Sequence, residues 1–122
     1  MKFRSSCPVS SALDIVGDKW SLVIIRDLLY FNKKTFKELS NSRENIATNI
    51  LADRLKGLEE KGILSRNDVK GNKKTKHYKL TKKGLGLKPM LKELGKWSTT
   101  HLKNDHPKML SKDIFLEISN RN

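Results

Sequence analysis

The sequence has a single cysteine and no long apolar run, and both shortages exclude whole classes of protein. Cys7 has no second cysteine to pair with, so no disulfide can form within the chain. The longest aliphatic run, LVII at 22–25, is far too short to cross a bilayer. The segment MKFRSSCPVS at the start also lacks the apolar core of a secretory signal peptide. We therefore expect no membrane association and a reducing, cytoplasmic location.

Motifs for catalysis and for metal binding are also missing. His77, His101 and His106 have no metal-ligand spacing with one another or with Cys7. The chain holds no Ser/His/Asp set, no glycine-rich phosphate loop and no paired carboxylates in a catalytic context. We expect neither an enzyme nor a protein with a cofactor or a bound metal.

Acidic residues are scarce, since 13 Asp and Glu stand against 26 Lys and Arg, for a net charge of +13. The imbalance is concentrated in residues 62–122, which hold 15 basic and 5 acidic side chains, whereas residues 1–61 hold 11 and 8. Such a charge is typical of proteins that bind nucleic acid or an anionic membrane. At 122 residues, the chain is long enough for one domain with a modest core.

The first half of the chain shows helical patterns. A short helix is expected between Pro8 and Gly17, and Asp18 is a good N-cap for the helix that follows. That second helix, over residues 19–31, is apolar on nearly all sides and should be the buried central helix.

Two more helices are expected before residue 62. Thr35 and Glu38 have the spacing of a capping box, which predicts the start of a third helix. A polar connection leads to a fourth helix, which Gly62 should end. Leucines at spacings of four and three predict its buried face: Leu51, Leu55 and Leu58.

The second half begins with a hairpin pattern. Residues 63–69 and 76–81 predict two strands joined by a Lys/Gly/Asn tip at 70–75. Thr81 should cap a last long helix, in which Pro89 either introduces a kink or marks the true start. The order of four helices, a hairpin and a helix predicts a mainly α fold with a small β-hairpin. This is the pattern of a winged helix-turn-helix with extra N- and C-terminal helices.

We expect residues 1–104 to form the winged helix-turn-helix domain together with its terminal helices. Residues 105–122 would be a mostly polar tail, although Ile114, Phe115 and Ile118 could lie along one side of a short helix.

A set of short motifs recurs in a fixed order along residues 7–103. They are Cys7-Pro8-Val9 with Ala12-Leu13, Gly17 with Lys19-Trp20, Phe36-Lys37-Glu38-Leu39, IATNILADRL running into LEEKGIL, Tyr78, Leu80-Thr81, Gly84, and the spacing from Pro89 to Trp97. With these spacings the chain resembles the HxlR-type winged helix-turn-helix transcriptional regulators of bacteria. Many members carry Ser or Thr at the position of Ala47, so we expect Asn45 to cap the fourth helix instead.

The resemblance implies a homodimeric DNA-binding regulator in which the terminal helices form the dimer interface. It also implies that an N-terminal cysteine can respond to oxidants or reactive electrophiles, as it does in some members of the family.

The fourth helix would be the recognition helix. We expect its exposed residues Thr48, Asn49, Ala52 and Asp53 to face base edges, since Asn pairs with adenine, Asp accepts from cytosine, and Ala or Thr methyl groups touch thymine. Lys56 should meet a phosphate. The alternative is an ordinary amphipathic surface helix.

Three further cations have positions that need an explanation. Arg54 lies toward the core side of the recognition helix and would reach either a phosphate or a carboxylate such as Glu38 or Glu59. Lys82 and Lys83 open the last helix, where the helix dipole disfavours cations, and this favours a nearby phosphate.

The hairpin would be the wing. Lys73, Lys74 and Lys76 should project from the tip toward backbone phosphates, and the alternative is a solvated loop. Tyr78 should pack against the domain rather than stack on a base.

Cys7 directly precedes Pro8 and lies near Lys2 and Arg4, and a helix N-terminus and cations both favour the reactive thiolate. It would be a sensor for an oxidant or electrophile, as the resemblance implies, or else a small buried apolar residue.

Four apolar side chains are expected to be core or dimer anchors: Trp20, Leu91, Leu94 and Trp97. A small-molecule pocket between the two tryptophans is an alternative.

The sequence thus predicts a cytoplasmic homodimer that binds double-stranded DNA at a pseudo-palindromic operator, without indicating whether it represses or activates. Two other classes remain open at this point. One is a sequence-neutral nucleoid or architectural protein, which the charge alone would support equally. The other is a protein–protein adaptor that uses the apolar last helix.

Overall fold

The computed structural model describes residues 1–110 and has a mainly α fold with one two-stranded antiparallel hairpin, as predicted. Its elements are α1 (Pro8–Val16), α2 (Ser21–Tyr30), α3 (Phe36–Ser40), α4 (Thr48–Glu60), β1 (Leu64–Val69), β2 (Asn72–Leu80), α5 (Lys82–Leu85) and α6 (Lys88–His101).

The first two helices begin and end as local chemistry dictates. Pro8 occupies the first turn of α1, and Gly17 is its C-cap. The Asp18 carboxylate then accepts hydrogen bonds from the N–H groups of Trp20 and Ser21, at 2.8 and 2.9 Å, and so caps α2. Helix α2 runs through the centre of the domain, where Ile24 is buried.

Helices α3 and α4 form the helix-turn-helix. The predicted capping box is present, because the Thr35 hydroxyl accepts from the Glu38 N–H and the Glu38 side chain accepts from the Thr35 N–H. The predicted cap at Asn45 is wrong. Asn45 has a left-handed φ of 56° within the turn, and the N-cap of α4 is Ala47, which makes no side-chain cap. The chain therefore extends two residues further before α4 starts.

The hairpin turn is tighter than predicted. Leu64 lies opposite Leu80 and Asp68 lies opposite Lys76, and the strands are joined by Lys70 and Gly71 alone. Gly71 has φ +83°, a conformation that residues with a side chain rarely adopt. The predicted tip at 70–75 is therefore wrong, because residues 72–75 already belong to β2.

The hairpin is also attached to the helix-turn-helix. The Tyr78 N–H donates to the Lys34 carbonyl at 2.7 Å, which joins β2 to the segment that precedes α3. Tyr78 is half-buried and packs against the core, as predicted.

The last helical segment is broken in two. The Thr81 hydroxyl caps α5 by accepting from the Gly84 N–H at 3.1 Å. A Cβ atom at Gly84 would lie 2.2 Å from the Ile63 carbonyl oxygen, so the segment can pack this closely only with glycine there. Helix α6 then starts afresh at Lys88 with Pro89 in its first turn, which is the second of the two predicted roles for this proline.

The core is built from α2, α4, the hairpin and the ends of the other helices. Its buried apolar residues include the three predicted leucines of α4 and are Val16, Ile24, Ile25, Tyr30, Leu39, Ile46, Leu51, Leu55, Leu58, Ile63, Leu64, Leu80 and Leu91. Among residues 1–110, no helix is long and apolar enough to span a membrane.

The tail is described only in its first part. Residues 105–110 form turns and irregular chain. The predicted short helix with Ile114, Phe115 and Ile118 lies outside the described residues, and the boundary between residues 104 and 105 stays a prediction.

Candidate nucleic-acid interface

The surface of α4 that points away from the core carries six polar or small side chains. Since Leu51, Leu55 and Leu58 are buried, the residues on the far side of the helix are left to solvent. The exposed set agrees with the sequence pattern and consists of Thr48, Asn49, Ala52, Asp53, Lys56 and, at the end of the helix, Glu60. These are donors, acceptors and a methyl group of the kinds that read base edges.

Arg54 occupies the flank of α4 and is bound by two carboxylates. Its Nε lies 3.1 Å from Asp18 Oδ1, and its terminal nitrogen lies 2.5 Å from Asp53 Oδ2. Glu38 and Glu59, the carboxylates suggested by the sequence, bind other groups. Glu38 is engaged in the capping box, and Glu59 lies 3.7 Å from Arg66. Arg54 thus links α4 to the start of α2.

The carboxylate of Asp18 is the anchor of this link. Partial burial alone would raise its pKa, but hydrogen bonds from the Ser21 hydroxyl, from the N–H groups of Trp20 and Ser21, and from Arg54 together lower the pKa to about 2. Asp18 is therefore held in its charged form by both helices.

The lysines of the wing differ in what they contact. Lys73 and Lys74 are exposed at the start of β2, next to the turn. Lys76 is half-buried and forms a cross-strand ion pair with Asp68, its partner in the register. Two of the three predicted wing lysines therefore point their charge to solvent, and the third is already paired.

Lys83 has an internal role that the sequence did not reveal. Its ammonium donates to the Lys61 carbonyl at 2.9 Å, at the end of α4. Carbonyl groups at a helix C-terminus attract cations, so this contact explains the odd position of Lys83 without a phosphate.

Lys37 on α3 belongs to the same basic surface and was missed. A cleft of about 550 Å³ separates α3 from the hairpin, with Lys37 and Ser40 on one side and Lys74 and Lys76 on the other. The only sequence feature that could have indicated a role for Lys37 was its position in the first turn of the helix that precedes the recognition helix.

A second cleft, of about 350 Å³, separates α4 from the hairpin. Ala52 and Lys56 of α4 face Arg66 and Tyr78 across it. Tyr78 and Phe36 line both clefts, so α3, α4 and the wing form one continuous surface.

A buried charge network holds the turn between α3 and α4. Asp27 is only 1% exposed and lies 2.8 Å from Arg26 and 3.1 Å from Lys33. Arg26 also pairs with Glu44 at 2.7 Å, and Lys33 donates to the Asn41 carbonyl at 2.8 Å. These contacts stabilise the turn that precedes the recognition helix, because the buried Asp27 carboxylate requires cations beside it.

Cys7 is exposed as the residue that precedes α1. The alternative of a buried apolar residue is therefore wrong. Of the two nearby cations, Arg4 is bound by Asp14 through its guanidinium and its backbone N–H.

The predicted core or dimer anchors divide into two groups. Leu91 is buried and Trp20 packs against the core. Leu94 and Trp97 of α6 are 49% and 54% exposed, so they contribute little to the core of the described chain.

Comparison with known proteins identifies the family. Residues 15–106 match the model of the HxlR-like helix-turn-helix family. The chain belongs to this family. The uncharacterized HTH-type transcriptional regulator YvaP of Bacillus subtilis is 34% identical over 100 residues, which are 81% of this chain and 92% of YvaP. The HTH-type transcriptional regulator YodB of the same organism is 33% identical over 96 residues, which are 78% of this chain and 85% of YodB.

Solved structures of HxlR-like relatives share the fold. The reduced form of YodB has a TM-score of 0.64 at 31% identity and covers 80% of this chain and 95% of its own. The reduced redox regulator HypR has a TM-score of 0.69 at 25% identity and covers 82% of this chain and all of its own. YodB has also been solved bound to a quinone and after treatment with diamide. The fold is thus a winged helix-turn-helix shared with transcriptional regulators.

Proposed function

We propose that this chain is a sequence-specific DNA-binding transcriptional regulator that binds a pseudo-palindromic operator as a homodimer. The observation that carries the proposal is the continuous surface on which the exposed side of α4 lies beside the lysines of α3 and the wing. The exposed side of α4 carries uncharged polar and acidic side chains and enters the major groove, while the cations beside it neutralise phosphates.

The residues of this surface take different roles. Thr48, Asn49, Ala52 and Asp53 read base edges, since their side chains are exposed on one side of α4. Lys56 contacts a phosphate at the edge of the groove. The remaining phosphate contacts come from the exposed lysines next to the two clefts: Lys37, Lys73 and Lys74.

Dimerisation uses the apolar side chains that the domain leaves in solvent. Helix α6 exposes Met90, Leu94 and Trp97, and α1 exposes Val9 and Leu13. Several large apolar side chains exposed on the terminal helices are a feature of protein–protein interfaces. A two-fold symmetric dimer would then present two recognition helices to half-sites about one helical turn apart.

The signal is an oxidant or a small electrophile that reacts with Cys7. The thiol is exposed beside the start of α1, whose Leu13 belongs to the surface assigned to the dimer interface. YodB, a relative of similar length, has been solved in reduced, diamide-treated and quinone-bound forms. Modification of Cys7 would alter the interface and thereby the spacing of the recognition helices.

The strongest competing function is a sequence-neutral architectural protein, which the net charge of +13 would also support. The two differ in the ratio of affinities for selected and unrelated DNA. We expect selection from randomised duplexes to yield a two-fold symmetric site bound at least about 10³ times more tightly than competitor DNA at physiological salt.

The same binding experiment separates the remaining outcomes. A ratio near one would support the architectural function and contradict the proposal. Absence of any salt-dependent DNA binding would contradict both and leave the protein–protein adaptor.

A further inference from the structure

We infer that Asp18, which lies outside the helix-turn-helix, helps to set the base preference of α4 by holding Arg54 and, through it, Asp53. The inference rests on the proposed function and deepens it. It assigns Asp53 to a cytosine in each half-site and makes Asp18 and Arg54 positioning residues for that contact.

The first step is the fixed position of Asp18. Its carboxylate accepts from the N–H groups of Trp20 and Ser21 and from the Ser21 hydroxyl, and Ser21 is buried at the start of α2. A carboxylate held by three donors of one helix terminus cannot move without uncapping that helix. It is therefore a rigid support for any side chain that binds to it.

The second step is that Asp18 restricts the side chains of α4 through Arg54. Arg54 uses Nε for Asp18 and a terminal nitrogen for Asp53, at 3.1 and 2.5 Å. The planar guanidinium fork restricts both partners at once. Asp53 would otherwise be a freely rotating surface carboxylate, since its side chain is 72% exposed.

The third step is the chemistry that remains available on Asp53. Oδ2 is taken by Arg54, so Oδ1 is left as an acceptor on the side of α4 that faces away from the core. In the major groove, cytosine offers the N4 donor, whereas guanine and thymine offer acceptors that repel a carboxylate. Adenine places its N7 acceptor beside its N6 donor and is a poorer match.

Arg54 also neutralises the charge that Asp53 brings to the DNA. A carboxylate near phosphates is repelled unless a cation accompanies it. When Arg54 is bound by two carboxylates, it is occupied as a neutralising and orienting group and does not serve as a phosphate contact.

The test compares base preferences rather than overall affinity. Sites would be selected from randomised duplexes with the wild-type chain, Asp53→Asn, Asp18→Asn and the control Asp14→Asn. A further cleft, between α1 and α4, is lined by Asp18, Asp53 and Arg54 and also by Asp14, which binds Arg4 instead of Arg54. We expect the wild type to select cytosine at one position in each half-site. At that position, both Asp53→Asn and Asp18→Asn should reduce the preference for cytosine over thymine roughly tenfold. Asp14→Asn should leave it unchanged.

Several outcomes would overturn the inference. If Asp53→Asn keeps the wild-type preference, Asp53 does not read a base. If folded Asp18→Asn keeps it, Asp18 does not position Asp53. If Asp18→Asn does not fold, as judged by circular dichroism, Arg54→Gln takes its place in the site selection, because it leaves the cap of α2 intact. An unchanged base preference in Arg54→Gln would then overturn the inference.

A salt titration separates the inference from a phosphate role for Arg54. As a positioning residue, Arg54→Gln should leave the log–log slope of affinity against salt unchanged on unrelated DNA. A slope reduced by about 0.9 would show that Arg54 neutralises a phosphate, which contradicts the inference while the proposed function stands. A wild-type chain that selects no sequence would contradict both.

Discussion

At the scale of single residues, the charge of Asp18 makes the stability of the fold depend on pH. Its pKa is about 2 in the folded chain against an ordinary value of 3.8. A lowered folded-state pKa means that the carboxylate contributes stability above about pH 4, and that this contribution is lost as the pH falls toward 2. We expect Asp18→Asn to reduce the free energy of unfolding clearly at pH 6 and by a smaller amount, about half, at pH 3, as measured by urea denaturation.

The control for this measurement is Asp105→Asn, because Asp105 is exposed beyond the end of α6. It should change the free energy of unfolding little at either pH. A loss in Asp18→Asn that is equal at pH 6 and pH 3 would show that the side chain acts by packing and not by charge.

Cys7 supports a prediction about the response to oxidants. Since it is the single cysteine, oxidation can join it only to another subunit or to a small thiol. We expect diamide or a quinone to change the DNA affinity of the wild-type chain and to leave Cys7→Ser unaffected, in a fluorescence anisotropy assay with the selected operator. A full response in Cys7→Ser would falsify the sensor assignment.

Contacts between residues close in sequence could be predicted, and those between distant residues could not. The capping box of Thr35 and Glu38 follows from a spacing of three, because one helical turn brings such residues together. Arg54 and Asp18 are 36 residues apart, so only the tertiary fold brings them into contact. The sequence therefore offered a carboxylate as one alternative for Arg54, but its examples were Glu38 and Glu59 and not Asp18 and Asp53.

At the scale of elements, the wing should supply sequence-independent affinity. Lys73 and Lys74 are exposed beside the turn, so each can neutralise a phosphate. We expect the double change Lys73→Ala and Lys74→Ala to weaken binding on all DNA sequences and to reduce the log–log salt slope by up to about 1.8, since each phosphate contact contributes about 0.9.

The matched control for the wing removes the same charge elsewhere. Lys96 and Lys103 are exposed on α6 and just beyond it, away from the two clefts. Their double change to Ala should leave most of the salt slope intact. If the two double variants behave alike, the lysines act only through net charge and the wing has no specific contact with DNA.

The helices differ in how well their limits could be read from the sequence. Helix α1 and the start of α3 carry strong local signals in Pro8, Gly17 and the capping box. The break between α5 and α6 was not resolved in advance. It accompanies the close packing of Gly84 on the Ile63 carbonyl, which is a tertiary contact. Pro89 indicated that the helix is interrupted near residue 88, but it was compatible both with a kink and with the start of a new helix.

At the scale of the whole molecule, Trp97 should decide the oligomeric state. Its side chain is 54% exposed, so Trp97→Glu should leave the fold intact while placing a charge in the proposed interface. We expect this variant to be monomeric by size-exclusion chromatography with light scattering, whereas the wild type is dimeric.

Lys96→Glu is the control for the dimer, because Lys96 lies on the same helix and pairs with Glu93 at 3.2 Å in solvent. It should remain dimeric. A dimeric Trp97→Glu with unchanged stability would place the interface on another surface.

The backbone hydrogen bond from Tyr78 to Lys34 divides the wing into two parts with different conformational freedom. The strands near Leu80 are joined to the helices by this bond, whereas the part toward Gly71 lies beyond it and pairs with the other strand. Ordering a long lysine side chain costs up to about 2 kcal/mol of entropy, and for Lys73 and Lys74 this cost falls on the tip. The tip can therefore adjust to grooves of different width while the orientation of the recognition helix is preserved.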